Sequence, residues 1–327
     1  MGVKRTEYII PQGWNVIKIV GSQVFSVDRD NHLLETNIKE LGASHEFAVR
    51  SRVLASLEGG TIVRVSDDGQ VLAWVGNGVL YHMIQRNELI QQYELKDYMQ
   101  MTGNNEFYVE AISYNGSHII LRDANSTTVY MLEFKTKMTV QINEKNNYMF
   151  TCTFVMCGDV LNLLSVWHEK DTTIISLLDT KSALKKSCQF PFTVGAVIGG
   201  NVVYGEESKF RPTFVSLTTH SGGSIGSGNY MCHVIPWTKF YEYVCNNKCP
   251  IDSTLQPLRT ASVPGLNHVA GDTVIFNDTP GYIDSGWQVD SGIKLRQRPV
   301  PGSFTDHDGE IYGAYCITTD SCLIFVY

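Results

Sequence analysis

Ser66-Asp67-Asp68-Gly69-Gln70-Val71-Leu72-Ala73-Trp74-Val75-Gly76-Asn77-Gly78 is the stretch that decides the fold of this chain. Two turn signals, Asp68-Gly69 and Asn77-Gly78, bracket a run with no charged residue. Such dipeptides supply the positive φ that tight hairpin turns require. A strand with one wet face alternates apolar and polar residues, and Val71–Val75 does not. It is too short for a helix between such turns. The reading is an antiparallel strand covered on both faces.

The same unit recurs, with a Gly turn followed by a strongly apolar run. The marker glycines are Gly21, Gly69, Gly116, Gly158, Gly200, Gly271 and Gly309, at intervals of 48, 47, 42, 42, 71 and 38 residues. Five of the six are close to the length of one four-stranded blade, about 40–50 residues. The runs after the markers include Ile119-Ile-Leu121, Val160-Leu-Asn-Leu-Leu164, Val202-Val-Tyr204 and Val274-Ile-Phe276. Polar turns and partner strands follow, as in Val129-Tyr-Met-Leu132, Ile174-Ile-Ser-Leu177 and Phe214-Val-Ser-Leu217. The last unit, ending at Leu323–Tyr327, is one strand short, and Glu7-Tyr-Ile-Ile10 is a spare strand at the front. Pairing the two removes sheet edges that an open array would leave. The expectation is an all-β, about seven-bladed propeller over 1–327, closed by the N-terminal strand on the C-terminal blade.

On these repeats the chain resembles the WD40-like β-propeller superfamily in diverged form. The Gly-His and Trp-Asp dipeptides of that family are absent: the five Trp are followed by Asn15, Val75, His168, Thr238 and Gln288. A two-sheet β-sandwich array is the alternative fold.

The 71-residue interval exceeds one blade, and its excess falls at about 221–266. It is read as an insertion on one propeller face, with a degenerate eighth blade as the alternative. It opens with the Gly/Ser-rich 221–228 and continues with Tyr230, Trp237, Phe240, Tyr241 and Tyr243. Insertions in repeat proteins collect on one face, often the binding face, and Trp and Tyr anchor interfaces. These five aromatics are the expected partner-facing residues. The competing reading packs them against the ring.

Composition narrows the function classes. The chain has 327 residues, 43% of them hydrophobic and 18% charged, with a formal net charge of −7. That field does not attract nucleic acid, and Lys294, Arg296 and Arg298 read as a solvated strand edge. The first ten residues carry Lys4, Arg5 and Glu7 and no signal-like apolar run, and no window has the length of a membrane span. A cytoplasmic or nuclear address is expected. The eight cysteines (152, 157, 188, 232, 245, 249, 316 and 322) then read as reduced thiols. The sequons at Asn115, Asn125 and Asn277 matter only on a secretory route.

Chemistry-bearing motifs are scarce. Cys232, His233, Cys245 and Cys249 have near-zinc spacing, but neighbours on a strand point to opposite faces. Ser66–Trp74 resembles the Asp-box turn with one residue missing, and reads as a plain hairpin. Asp272, Asp278, Asp284, Asp306 and Asp308, with His307, supply carboxylates where turns ordinarily hold Asp. The sequence contains no P-loop, nucleophile elbow, His-Glu-x-x-His or dinucleotide fingerprint. No catalytic residue, metal or cofactor is assigned. The leading expectation is a non-enzymatic scaffold for protein partners, alone or as a subunit of a larger assembly. The alternatives are a propeller enzyme or glycan-binding protein with a central polar pocket, and a viral or extracellular surface protein.

Overall fold

In a computed structural model, the described residues are 5–9, 11–20, 22–41, 50–57, 62–66, 68–85, 89–98, 106–136, 138–142, 148–169, 172–191, 194–203, 209–221, 229–249, 259–261, 266–270, 273–277, 285–289, 295–298, 313–317 and 322–326. For the first strand and for everything after 249 the description covers the backbone alone.

The described strands form antiparallel sheets, each built from strands consecutive in sequence. The first holds Asn15–Val20, Gln23–Val27, His32–Asn37 and Ser51–Ser56. The second holds Arg64–Val65, Val71–Gly76, Val79–Ile84 and Leu89–Glu94. Phe107–Ile112, His118–Asp123, Val129–Glu133 and Met138–Gln141 make the third. Tyr148–Cys157, Val160–Glu169, Thr172–Asp179 and Lys185–Phe190 make the fourth. The fifth contains Val194–Val203, Lys209–Ser221, Asn229–Pro236 and Arg259–Ala261. Leu266–Ala270, Thr273–Asn277, Ser285–Val289 and Leu295–Arg298 follow as the sixth. A last sheet combines Gly313–Ile317 and Cys322–Val326 with Arg5–Ile9, so that Glu7 lies opposite Ile324.

The turns explain why the strands pair in sequence. Asn77 and Gly78 both adopt positive φ (51° and 76°) between Val71–Gly76 and Val79–Ile84, the geometry a two-residue hairpin needs. Gly69, Gly116 and Gly158 also have positive φ. Gly21, Gly271 and Gly309 lie outside the described residues. Gly200 departs from expectation: it sits inside Val194–Val203, opposite Pro212, at a register shift after Gly199. The extra residue is Thr213 on the facing strand, so a bulge lies opposite the glycines where a turn was expected. In consequence Val202 and Val203 end the first strand of the fifth sheet. The second strand is Lys209–Ser221, where Phe214, Val215 and Leu217 are fully buried.

Burial follows the expected two-sided pattern. All six residues of Val71–Gly76 and all six of His118–Asp123 are buried. Alternate residues serve different neighbours. Val71, Ala73 and Val75 join a core with Phe107, Val109, Ile119 and Leu121 of the third sheet, while Leu72 and Trp74 join one with Phe25 and Leu33 of the first. Ile120 points the other way from Ile119 and Leu121, into a core with Phe154, Leu163 and Trp167 of the fourth sheet. Each of these second strands is thus covered on both faces by adjoining sheets, which is why its sequence does not alternate.

Adjacency runs in chain order. Asn15–Val20 lies against Arg64–Val65, which lies against Phe107–Ile112, and that strand against Tyr148–Cys157. Tyr148–Cys157 lies against Lys209–Ser221, and Val194–Val203 against Leu266–Ala270. Leu266–Ala270 touches Gly313–Ile317, which touches Asn15–Val20.

Polar side chains clamp several of these junctions. Lys18 Nζ donates to the carbonyl of Val65 at 3.2 Å, and Arg64 Nε to that of Glu110 at 2.9 Å. Arg122 Nη2 donates to the carbonyl of Met149, and His168 Nε2 to that of Val194 at 3.1 Å. Each acceptor is on the first strand of the following sheet.

Candidate functional site

The stretch 229–261 holds the third and fourth strands of the fifth sheet, with a helix, Trp237–Cys245, in the connection between them. Trp237, Phe240 and Val244 are spaced i, i+3 and i+7, which sets them on one helical face. Trp237 is 8% exposed and Phe240 and Val244 essentially not at all. They enter a core with Ile175, Leu177, Cys188 and Phe190 of the fourth sheet and Val215, Leu217 and Ile235 of the fifth. The helix is wedged between the third and fourth strands of the fourth sheet and the second and third strands of the fifth. Removing a buried Trp or Phe side chain from such a core costs about 3–5 kcal/mol, so the wedge is firmly seated.

This places the five expected binding aromatics in different roles. Trp237 and Phe240 lie in the core, because the helix turns their face inward. Tyr241 and Tyr243, on the flanks of that face, are half-buried. Tyr230 is on the strand Asn229–Pro236 opposite Ala261, and its side chain is outside the described residues. The Gly/Ser-rich segment 222–228 lies there too.

The accessible side of the helix carries two tyrosines, Thr238, Lys239 and Glu242, with Lys186 beside it. Lys186 Nζ, from the outermost strand of the fourth sheet, stands 5.5 Å from the centroid of the Tyr241 ring and 3.4 Å from Cys245 Sγ. Contact with Cys245, then with Tyr241, holds the Lys186 ammonium above its ordinary pKa. Burial, with Cys245 beside it, pushes the Tyr241 phenol up. Lys239 Nζ lies 5.6 Å over the Tyr243 ring one turn away. Thr238, Lys239, Glu242 and Lys248 are exposed. Ammonium groups over tyrosine faces are held by the ring quadrupole and keep their remaining N–H donors outward.

A second charged cluster lies on the inner strands, and sequence reasoning missed it. Arg122 Nε pairs with Glu110 Oε2 at 3.3 Å, and the guanidinium stands 5.0 Å over the Tyr148 ring. Arg64 reaches the Glu110 carbonyl from the preceding sheet. Arg64 and Arg122 donate to main-chain carbonyls of the following sheets and Arg122 pairs with Glu110, so the cluster joins the second, third and fourth sheets.

The zinc-like set does not assemble. Cys232 Sγ contacts Ser216 Oγ at 3.2 Å within the fifth sheet, whereas Cys245 contacts Lys186. Burial pushes the Cys157 and Cys188 thiols up to about 12 and the Cys152 thiol upward as well. Asp28, Asp30 and His32 bring ligand atoms within 4.8 Å of one another. The Asp28 carboxylate is already engaged by the Asp30 and His32 amides and by His32 Nδ1. Asp272, Asp278, Asp284, Asp306, His307 and Asp308 lie outside the described residues. No described helix is long and apolar enough to cross a membrane.

No family model and no curated protein match the chain. Solved structures do. A chain of the mitotic checkpoint complex superposes with a TM-score of 0.53 at 12% identity, covering 98% of this chain and 90% of that one. An oligogalacturonate lyase in complex with manganese also gives 0.53, at 6% identity, over 100% and 96%. The beta-propeller domain of Myceliophteria thermophila Cps50 (Swd1) gives 0.49, at 10% identity, over 98% and 99%. At these identities the likeness to the first two speaks to fold alone. With four-stranded antiparallel sheets following one another in chain order, face to face, the fold is a β-propeller.

Proposed function

We propose that the chain is a non-enzymatic scaffold: a closed, seven-bladed propeller in one domain, 1–327, that binds protein partners through the helix Trp237–Cys245 and its surroundings. The ring closure is supported by the pairing of Arg5–Ile9 with Cys322–Val326 and by the contact of Gly313–Ile317 with Asn15–Val20. One observation carries the functional reading. The connection between two ordinary blade strands holds a helix that is pinned by Trp237 and Phe240 yet leaves Tyr241 and Tyr243 reachable. Tyrosine on a rigid element contributes contact area at little entropic cost and is enriched at interface hot spots. A cytoplasmic or nuclear address belongs to the same reading.

The test is chemical crosslinking and affinity capture from the cells that express the protein, comparing wild type with Tyr241→Ala/Tyr243→Ala. Loss of the captured partners with an unchanged melting temperature is expected. Equal recovery from a folded double variant contradicts the reading.

A further inference from the structure

We infer that the helix surface takes a carboxylate-rich segment of a partner protein, an inference that rests on the scaffold reading and names the chemistry of its partner. Lys186, Lys239 and Lys248 are exposed around the helix, on the fourth sheet, the helix and the residues after it. Two of these ammoniums stand over Tyr241 and Tyr243. The carboxylates nearby, Asp179 and Glu242, are outnumbered by the three lysines. Asp179 is turned into its own loop, accepting from the Lys181 and Ser182 amides at 2.8 and 3.1 Å, and hydrogen bonds from Ser182, with the Lys181 amide, hold it below the usual carboxylate range. Glu242 is the carboxylate on the exposed side of the helix.

The overall charge of −7 works against an acidic partner only at long range. At physiological salt the screening length is about 8 Å, so a docking segment senses the local lysines rather than the whole molecule. Complementary charge at an interface rim sets orientation and partner choice, while the Tyr rings supply the desolvated contact. A carboxylate reaching Lys186 or Lys239 adds a charge-assisted hydrogen bond beside an aromatic face already in place.

Panning a random twelve-residue peptide display library against the immobilised full chain tests this, with Lys186→Gln/Lys239→Gln/Lys248→Gln and the corresponding triple Glu variant as parallel targets. The expected result is a set of peptides rich in Asp and Glu that wild type retains. Both variants release them, with affinity lowered about tenfold or more, and so does raised salt. The Gln variant keeps the fold if charge reversal does not. The inference is overturned if the peptides lost in the variants carry no acidic excess, if no peptide depends on the three lysines, or if anionic lipid vesicles or single-stranded RNA compete better than acidic peptides. Should the tyrosine pair still prove necessary for partner capture, the scaffold reading stands and only the acidic partner falls.

Discussion

At the residue scale, the fold turns on positions that answer to two neighbours at once. Trp74 stacks on Tyr81 with centroids 5.3 Å apart, while Ala73 and Val75 face the other way. Gly116 shows how tightly the sheets meet: its φ is 68°, and a β-carbon there would come within 2.6 Å of Val71 Cγ2 on the preceding sheet. Gly78 has a similar φ of 76° and nothing within 4 Å. Gly78→Ala therefore costs only the left-handed backbone term, about 1–2 kcal/mol. Gly116→Ala adds overpacking of about 1–3 kcal/mol. Urea denaturation of the two variants separates these contributions, and equal losses contradict the close approach. Such glycines were legible in the sequence because Asp-Gly and Asn-Gly name their own turn. Gly200 was not, since Gly199-Gly200-Asn201 reads like a turn, and only the pairing with Arg211 and Pro212 reveals a bulge.

At the scale of elements, the second strands of the second, third, fourth and sixth sheets were legible from their unbroken apolar runs, while that of the fifth sheet and the helix Trp237–Cys245 were not. Its signal was present: Trp237, Phe240 and Val244 carry helical spacing. Read as an aromatic patch rather than as a period, they left the exposed and the packed readings both open. The clamps between sheets had no such signal, because Lys18, Arg64, Arg122 and His168 are single residues whose acceptors are main-chain carbonyls on a later strand. Arg122 is well enclosed for an ion-paired group, with 6% of its side chain exposed against 14% for Glu110. Arg122→Met leaves Glu110 without its counter-charge and frees the Met149 carbonyl, a loss of about 3–5 kcal/mol. Glu110→Gln on that background restores part of it. A double-mutant cycle with coupling near zero contradicts the clamp.

At the scale of the whole molecule, burying titratable groups between sheets makes stability depend on pH. His82, stacked 4.2 Å from Phe134, and His118 and His233 are all buried, and burial holds each below the ordinary histidine pKa. The folded chain keeps them neutral, while the unfolded chain binds protons near the ordinary value of about 6.5. Stability is therefore full above that value and falls as the pH drops through and below it. Chemical denaturation at neutral and mildly acidic pH should show this decline, shallower in His82→Gln. An unchanged slope contradicts the assignment to His82. The proposed ring closure rests on Arg5–Ile9 sharing a sheet with Cys322–Val326, a pairing the spare first strand and the incomplete last unit suggested. In that sheet Ile9 lies opposite Cys322, and directly opposed strand residues are about 4.5–5.5 Å apart at Cα, within disulfide reach. The decisive measurement is mild oxidation of Ile9→Cys followed by peptide mapping under non-reducing conditions. The account predicts a bridge between the introduced thiol and Cys322 in the folded monomer, and a position 9 thiol that stays free or couples elsewhere contradicts it.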